Sequence, residues 1–201
     1  MKTRIGSDVD EVLADFIEPL LNYSNPRFGA HLKRDDLKEY SLSKAFGISI
    51  EEELNVLEWF HKDGFLSVIG TVEGSVEGVR HLNAKNYELY AVTARPSKLS
   101  LDTIRWLDGK FFTTPYHGIF TAACFANGYE GYASNGNSLT KADICRMLNI
   151  EVLIEDRVDY ATECAEAGIE VLLLDCPWNK DLKENGKIKR VNSWNDIIKI
   201  F

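Results

Sequence analysis

Hydrophobic and polar positions alternate in two regimes along the chain. A short apolar run, "RIGSD" from Arg4, leads directly into a periodic segment, 11–24, in which Val12, Leu13, Ala14 and Phe16 carry the apolar positions. From Ser24 to Leu66 the pattern is charged, aromatic and helix-like, with no convincing strand. Continuous apolar runs then alternate with helical stretches. "ELYAVT" reads as a strand ending near Thr93, followed by a turn at Pro96 and a helix with Leu101, Ile104 and Leu107 along one face. "GIFTAACFA", "EVLIED" and "EVLLLD" read as further strands. "SLTKADICRMLNI" predicts an amphipathic helix with Ile144, Met147 and Leu148 toward the core, and "RVDYATECAEAGI" a short helix stopped at Gly168. Unbroken apolar strands separated by helices predict a parallel sheet covered on both faces. The expected architecture is α/β, a Rossmann-like parallel sheet flanked by helices, with residues 1–16 and 79–201 forming the core and 17–78 a small helical insertion after the first strand. There is no internal repeat. The loop 127–138, with Tyr129, Tyr132 and several glycines, reads either as a lid or as a connection.

With 201 residues, 45% of them hydrophobic, the chain can bury a full core as one domain carrying an insertion. Its net charge of -8, with no basic run to offset it, excludes a surface that coats nucleic acid. Cys124, Cys145, Cys164 and Cys176 are far apart, each in an apolar segment, and no histidines cluster, so reduced core thiols in a cytoplasmic protein are expected. No run approaches the ~20 apolar residues of a membrane span, and no membrane partner is expected.

Candidate chemistry gathers at the ends of the strands, where open parallel sheets bind ligands. Asp8 and Asp10 follow the first strand, Thr93, Ala94 and Arg95 the second, and Glu155, Asp156 and Asp159 a later one. Two adjacent carboxylates repel unless a cation separates them, so Asp-x-Asp is either a solvated, helix-capping turn or a metal ligand pair. Lys141, in the first turn of its helix, opposes the helix dipole but would sit beside carboxylates in need of a cation.

Four motifs occur in order: "DVDEV", "VTAR", the lysine of "LTKAD", and "LIEDRVD". Together they resemble the haloacid dehalogenase-like superfamily of phosphohydrolases. The helical insertion after the first motif, "DGFL", "IEDR" and "VNSWNDI" are similar to the 5'(3')-deoxyribonucleotidases within it. The resemblance implies a phosphomonoesterase in which Asp8 attacks phosphorus to form an aspartyl-phosphate and Asp10 acts as acid, then base. It implies Mg2+ held among Asp8, Asp10 through its carbonyl, Asp156 and Glu155, with Glu155 and Asp159 better placed as anchors behind the site. Thr93, Ala94 and Arg95 would hold the phosphate and Lys141 would pair with Asp8. Glu11 stands where many relatives have glycine, and Ala94 where the deoxyribonucleotidases usually have serine, which shifts phosphate contacts toward the backbone or Arg95. Arg95 otherwise reads as a solvent-facing residue leading its helix.

The resemblance makes the insertion a cap that selects the substrate. Phe16 and Phe65 are candidates to flank a nucleobase, while Trp59 and Phe60 fit the cap's own core at helical spacing. The expected substrate is a nucleoside monophosphate. Another small phosphorylated metabolite, such as a sugar phosphate, and a non-catalytic phosphate-binding module stay open as alternatives, as does a homodimer.

Overall fold

The structure, a computed structural model, describes residues 2–114, 117–126 and 139–201; the expected lid or connection at 127–138 lies outside them. Strand β1 (Arg4–Ser7) is followed by helices α1 (Ile17–Phe28), α2 (Leu42–Phe46), α3 (Ile50–Lys62), α4 (Phe65–Val68) and α5 (Ser75–Ala84). Strand β2 (Glu88–Thr93), helix α6 (Ser100–Lys110), a small pair β3 (Phe112–Thr114) and β4 (His117–Gly118), and strand β5 (Ala122–Phe125) come next. The chain closes with α7 (Lys141–Met147), β6 (Val152–Glu155), α8 (Val158–Glu166), β7 (Glu170–Leu174), β8 (Ile188–Val191) and α9 (Trp194–Ile200). Six strands form one sheet in the order β5-β2-β1-β6-β7-β8, all paired in parallel. The apolar runs of β1, β2, β6 and β7 are buried because helices cover both faces, as their continuity predicts, while the edge strand β5 is only partly buried. Among the described residues no helix is long and apolar enough to cross a membrane.

The segment between β1 and β2 is helical, as its pattern predicts. Its two stems meet beside the sheet, where Val72 N donates to Leu13 O at 2.8 Å and Asp15 N to Gly70 O at 3.2 Å. The helix α5 that follows packs against α9 and β2, so position 78, the expected end of the insertion, falls inside a helix of the core layer. Glu11 explains its own turn. Its backbone is left-handed, with φ at 61°, a region that favours glycine. Its buried carboxylate accepts from the N–H groups of Phe16 and Ile17 at 2.9 and 2.6 Å, capping α1 from outside the helix.

Two helices turn a different face inward than apolar spacing predicts. In α6 the buried residues are Thr103, Trp106 and Leu107, while Leu101 and Ile104 are exposed. In α7 they are Lys141, Ala142, Ile144 and Cys145, and Met147 is exposed. In both cases a polar side chain with an internal partner holds the inward position, Thr103 by bonding to Arg95 and Lys141 by pairing with carboxylates. The strand β8, absent from the sequence reading, forms the sheet edge.

Helices α5 and α9 approach closely because Gly78 has no side chain. A Cβ there would fall 2.2 Å from Cε3 of Trp194, and that indole is fixed by donating to Val12 O at 2.8 Å. Gly78→Ala should therefore destabilise the protein by about 1–3 kcal/mol, read as a lower thermal midpoint. Gly186→Ala, with open space around the added methyl, should leave the midpoint within about a degree of the parent.

Candidate active site

Parallel register brings the strand ends together. Ser7 pairs with Ala91 of β2 and Ile154 of β6, and Asp8 N extends the ladder to Ile154 O at 2.9 Å. Asp8 therefore emerges level with Glu155, at the carboxyl edge of the sheet. Lys141 arrives from α7, whose start is fixed by a capping box between Thr140 and Asp143. Its Nζ lies 2.9 Å from Asp8 Oδ1 and 2.7 Å from Glu155 Oε2, and 4.3 Å from the centre of the Tyr160 ring. Burial opposes the charge on Lys141, but Asp8 and Glu155 outweigh it, and its pKa stands above that of an ordinary lysine.

The carboxylates outnumber this cation. Oxygens of Asp8, Glu155 and Asp156 lie within 4.8 Å of one another, all buried. Glu155 is fully engaged: Oε2 pairs with Lys141, and Oε1 accepts from the N–H groups of Asp156 and Arg157, both at 3.1 Å. Asp156 is oriented by Trp178 Nε1, which donates to Oδ2 at 2.9 Å, and by Asn179 Nδ2, which donates to its main-chain oxygen at 2.7 Å. Its Oδ1 is buried with no hydrogen-bond partner, an arrangement that costs stability unless a cation completes it. Burial, then the charge of Glu155, pushes the Asp8 carboxyl up to about 7 and that of Asp156 well above the usual carboxylate range. An all-oxygen set with an unpartnered buried carboxylate oxygen fits a hard divalent cation such as Mg2+. Glu155 anchors Lys141 through Oε2 and the amides of Asp156 and Arg157 through Oε1, so it is the most engaged carboxylate of the three. Asp159 does not reach the cluster, because its exposed carboxylate pairs with Arg157.

Thr93 and Arg95 occupy the end of β2. Arg95 is buried, 4% exposed, which removes the alternative reading of it as a solvent-facing residue. Its Nη2 lies 2.6 Å from Asp10 Oδ1 and its Nε 3.0 Å from Oδ2, while its main-chain N–H donates to Thr93 Oγ1 at 3.1 Å. The Arg95 amide thus bonds within its own turn, and its guanidinium to Asp10 and to Thr103 Oγ1 at 3.2 Å.

A cavity opens above Asp8 and Asp10, with Ala94 and Arg95 on one wall. Phe16 lines it, as its position after the first motif predicts, but Phe65 does not. Phe16 meets the buried Phe60 edge-on at 5.6 Å, and Phe65 stacks on the other side of Phe60 at 4.7 Å, one ring removed from the cavity and beside a separate surface groove. Tyr40, Leu57 and His61 complete the wall on the insertion side, Arg157 and Tyr160 on the core side. The sequence reading missed all five. The one signal for them was the spacing of Leu57 and His61, four residues apart on one face of α3. Burial lowers the His61 pKa to about 4, so its imidazole is neutral at pH 7 and can donate or accept a hydrogen bond.

Residues 2–123 match the model of the family described as 5' nucleotidase, deoxy (Pyrimidine), cytosolic type C. The chain is 26% identical over 192 residues to a nucleotidase of Clostridium acetobutylicum, an alignment covering 94% of this chain and 88% of that protein. Among solved structures, it superposes on a predicted phosphatase from Clostridium acetobutylicum with a TM-score of 0.68 at 16% identity, covering 100% of this chain and 98% of that one. A haloacid dehalogenase-like hydrolase from Streptococcus pneumoniae gives 0.61 at 15% identity, covering 87% and 85%.

The acidic cluster sets a pH dependence. With the Asp8 pKa raised from 3.8 to about 7, the native state holds a proton that the unfolded state has lost across that interval. Stability of the metal-free protein should then fall as pH rises from about 4 to about 7. A divalent cation that binds only the native cluster should restore it at neutral pH. Thermal unfolding across this range, with and without millimolar Mg2+, tests both statements, and Asp8→Asn should flatten the slope and weaken the metal-induced gain.

Proposed function

The chain belongs to the 5' nucleotidase, deoxy (Pyrimidine), cytosolic type C family and is a nucleotidase-like phosphoric monoester hydrolase; on that footing we propose that it dephosphorylates deoxyribonucleoside monophosphates through an aspartyl-phosphate on Asp8. The observation that carries this reading is Asp8, paired with the buried Lys141 at the floor of a cavity walled by Phe16 and His61. Asp8 Oδ forms the bond to phosphorus as the ester P–O bond breaks, and Asp10 gives its proton to the departing alkoxide. Water then attacks the acyl phosphate while Asp10 takes up a proton, and inorganic phosphate and free Asp8 are regenerated. Lys141 holds Asp8 in place and balances charge as it passes from carboxylate to phosphate. The Thr93 hydroxyl and the Ala94 amide orient the phosphate oxygens. Asp8, Asp156 through Oδ1 and the main-chain carbonyl of Asp10 would hold Mg2+, which when bound supplies the positive charge that lets a carboxylate approach a phosphate dianion.

The nucleoside would lie against Phe16, with the neutral His61 within the same wall to meet polar edges of the base. Small-molecule phosphate chemistry and free cysteines, of which Cys145, Cys164 and Cys176 are buried, support action in the cytoplasm.

Hydrolysis of a panel of nucleotides and sugar phosphates with Mg2+ tests the reading: a pyrimidine deoxyribonucleoside monophosphate should lead, and excess chelator should stop turnover. Preference for sugar phosphates would overturn the substrate class. Asp8→Asn should lower kcat by about three orders of magnitude or more with the fold retained. Phe16→Ala should weaken use of the nucleotide relative to p-nitrophenyl phosphate by about 1–3 kcal/mol in transition-state binding. Phe65→Ala, one ring removed, should leave that ratio unchanged.

A further inference from the structure

Arg95 is buried in a chain with eight excess negative charges, and its guanidinium is held on three sides. Nε and Nη2 form a two-point contact with the two oxygens of Asp10, at 3.0 and 2.6 Å. Nη1 donates to Thr103 Oγ1 at 3.2 Å. The Trp106 ring lies 5.9 Å away, and that indole is fixed in turn by donating to Ile69 O at 3.0 Å. Thr103 and Trp106 share the inward face of α6 with Leu107, and that face is turned toward Arg95.

Asp10 has a weaker framework of its own. It follows β1 in a tight turn, joined to Ala14 only by an isolated bridge, and its side chain is 17% exposed at the cavity. Nothing in regular secondary structure determines which way its carboxylate faces. A planar fork of two parallel N–H···O bonds does, because it sets the plane of the carboxylate as well as its position. These contacts use three of the five N–H donors of the guanidinium and aim its fork at Asp10.

We propose that Arg95 is a positioning residue that acts on the reaction only through Asp10, holding its carboxylate in the orientation needed for proton transfer to the leaving oxygen. The inference rests on the reading of Asp10 as the acid and base of the mechanism. It departs from a phosphate-binding role for Arg95, which the motif "VTAR" by itself suggests.

The experiment compares Arg95→Ala, Arg95→Lys, Asp10→Asn and the double variant on deoxythymidine monophosphate, whose alkoxide leaving group needs a proton, and p-nitrophenyl phosphate, whose phenolate does not. Arg95→Ala should lower kcat on the nucleotide by about 10–100-fold, part of the contribution of a positioned acid, with KM little changed and a smaller loss on p-nitrophenyl phosphate. Arg95→Lys keeps the charge without the fork and should rescue little, whereas added guanidinium ion at millimolar concentration should restore part of the Arg95→Ala activity. The double variant should be no slower than Asp10→Asn alone, since both changes remove one function. A KM increase shared by both substrates, with weaker inhibition by inorganic phosphate, would make Arg95 a substrate contact and overturn the proposal. So would a lower thermal midpoint with unchanged kcat per folded enzyme. If Arg95→Ala does not fold, Arg95→Lys carries the same comparison. Asp10→Asn separates the premise: a loss equal on both substrates removes the acid reading itself, while a selective loss there without one in the Arg95 variants overturns the Arg95 inference alone.

Discussion

Lys141 stands fully buried between two buried carboxylates, and the geometry of the site depends on that placement. A lone ammonium in the interior would lose its proton, and Asp8 and Glu155 level with each other would repel. Together they are tolerable, because Lys141 meets Asp8 at 2.9 Å and Glu155 at 2.7 Å while Glu155's other oxygen is bonded to two main-chain amides. Such a triad is a poor source of net stability, since desolvation consumes most of the Coulomb gain. Its value is positional: it holds the first strand, α7 and the end of β6 at one point, and fixes Asp8 beneath an open cavity.

A second chain of contacts joins the insertion to this point. Arg34, from the insertion, pairs with Glu11 at 2.9 Å, donates to Cys176 Sγ at 3.2 Å, and lies 4.9 Å above the Trp178 ring. Trp178 in turn orients Asp156. Glu11 also caps α1, so one left-handed glutamate links the helix that starts the insertion, the arginine that crosses back, and the residue whose free oxygen faces the acidic cluster. A glycine would hold this φ without strain; here the side chain offsets it with three partners. The insertion and the environment of Asp156 are therefore joined through Arg34 and Trp178.

The strand ends were legible because their chemistry is local. "DVDEV", "VTAR" and "LIEDRVD" follow apolar runs whose continuity already implies a parallel sheet, and parallel strands deliver their carboxyl ends to one edge. Asp8 meets Lys141 and lies in one cluster with Asp156 at that edge. The faces of α6 and α7 were legible only in part, since hydrophobic spacing puts Leu107 and Ile144 inward, as they are, but also Leu101, Ile104 and Met147, which are exposed. Their orientation is decided by partners contributed from distant segments: Arg95 for Thr103, Asp8 and Glu155 for Lys141.

The sequence by itself thus determined the layer architecture, the order of the motifs and the residue types at the sheet edge, all set by period and by chain direction. Only the tertiary structure decided which oxygens remain free, that Arg95 is turned to Asp10, and that Phe16 lines the cavity while Phe65 backs it across Phe60. These depend on how helices from the insertion and core rotate against one another, and that rotation is chosen by packing and ion pairing between residues tens of positions apart, which no local pattern encodes.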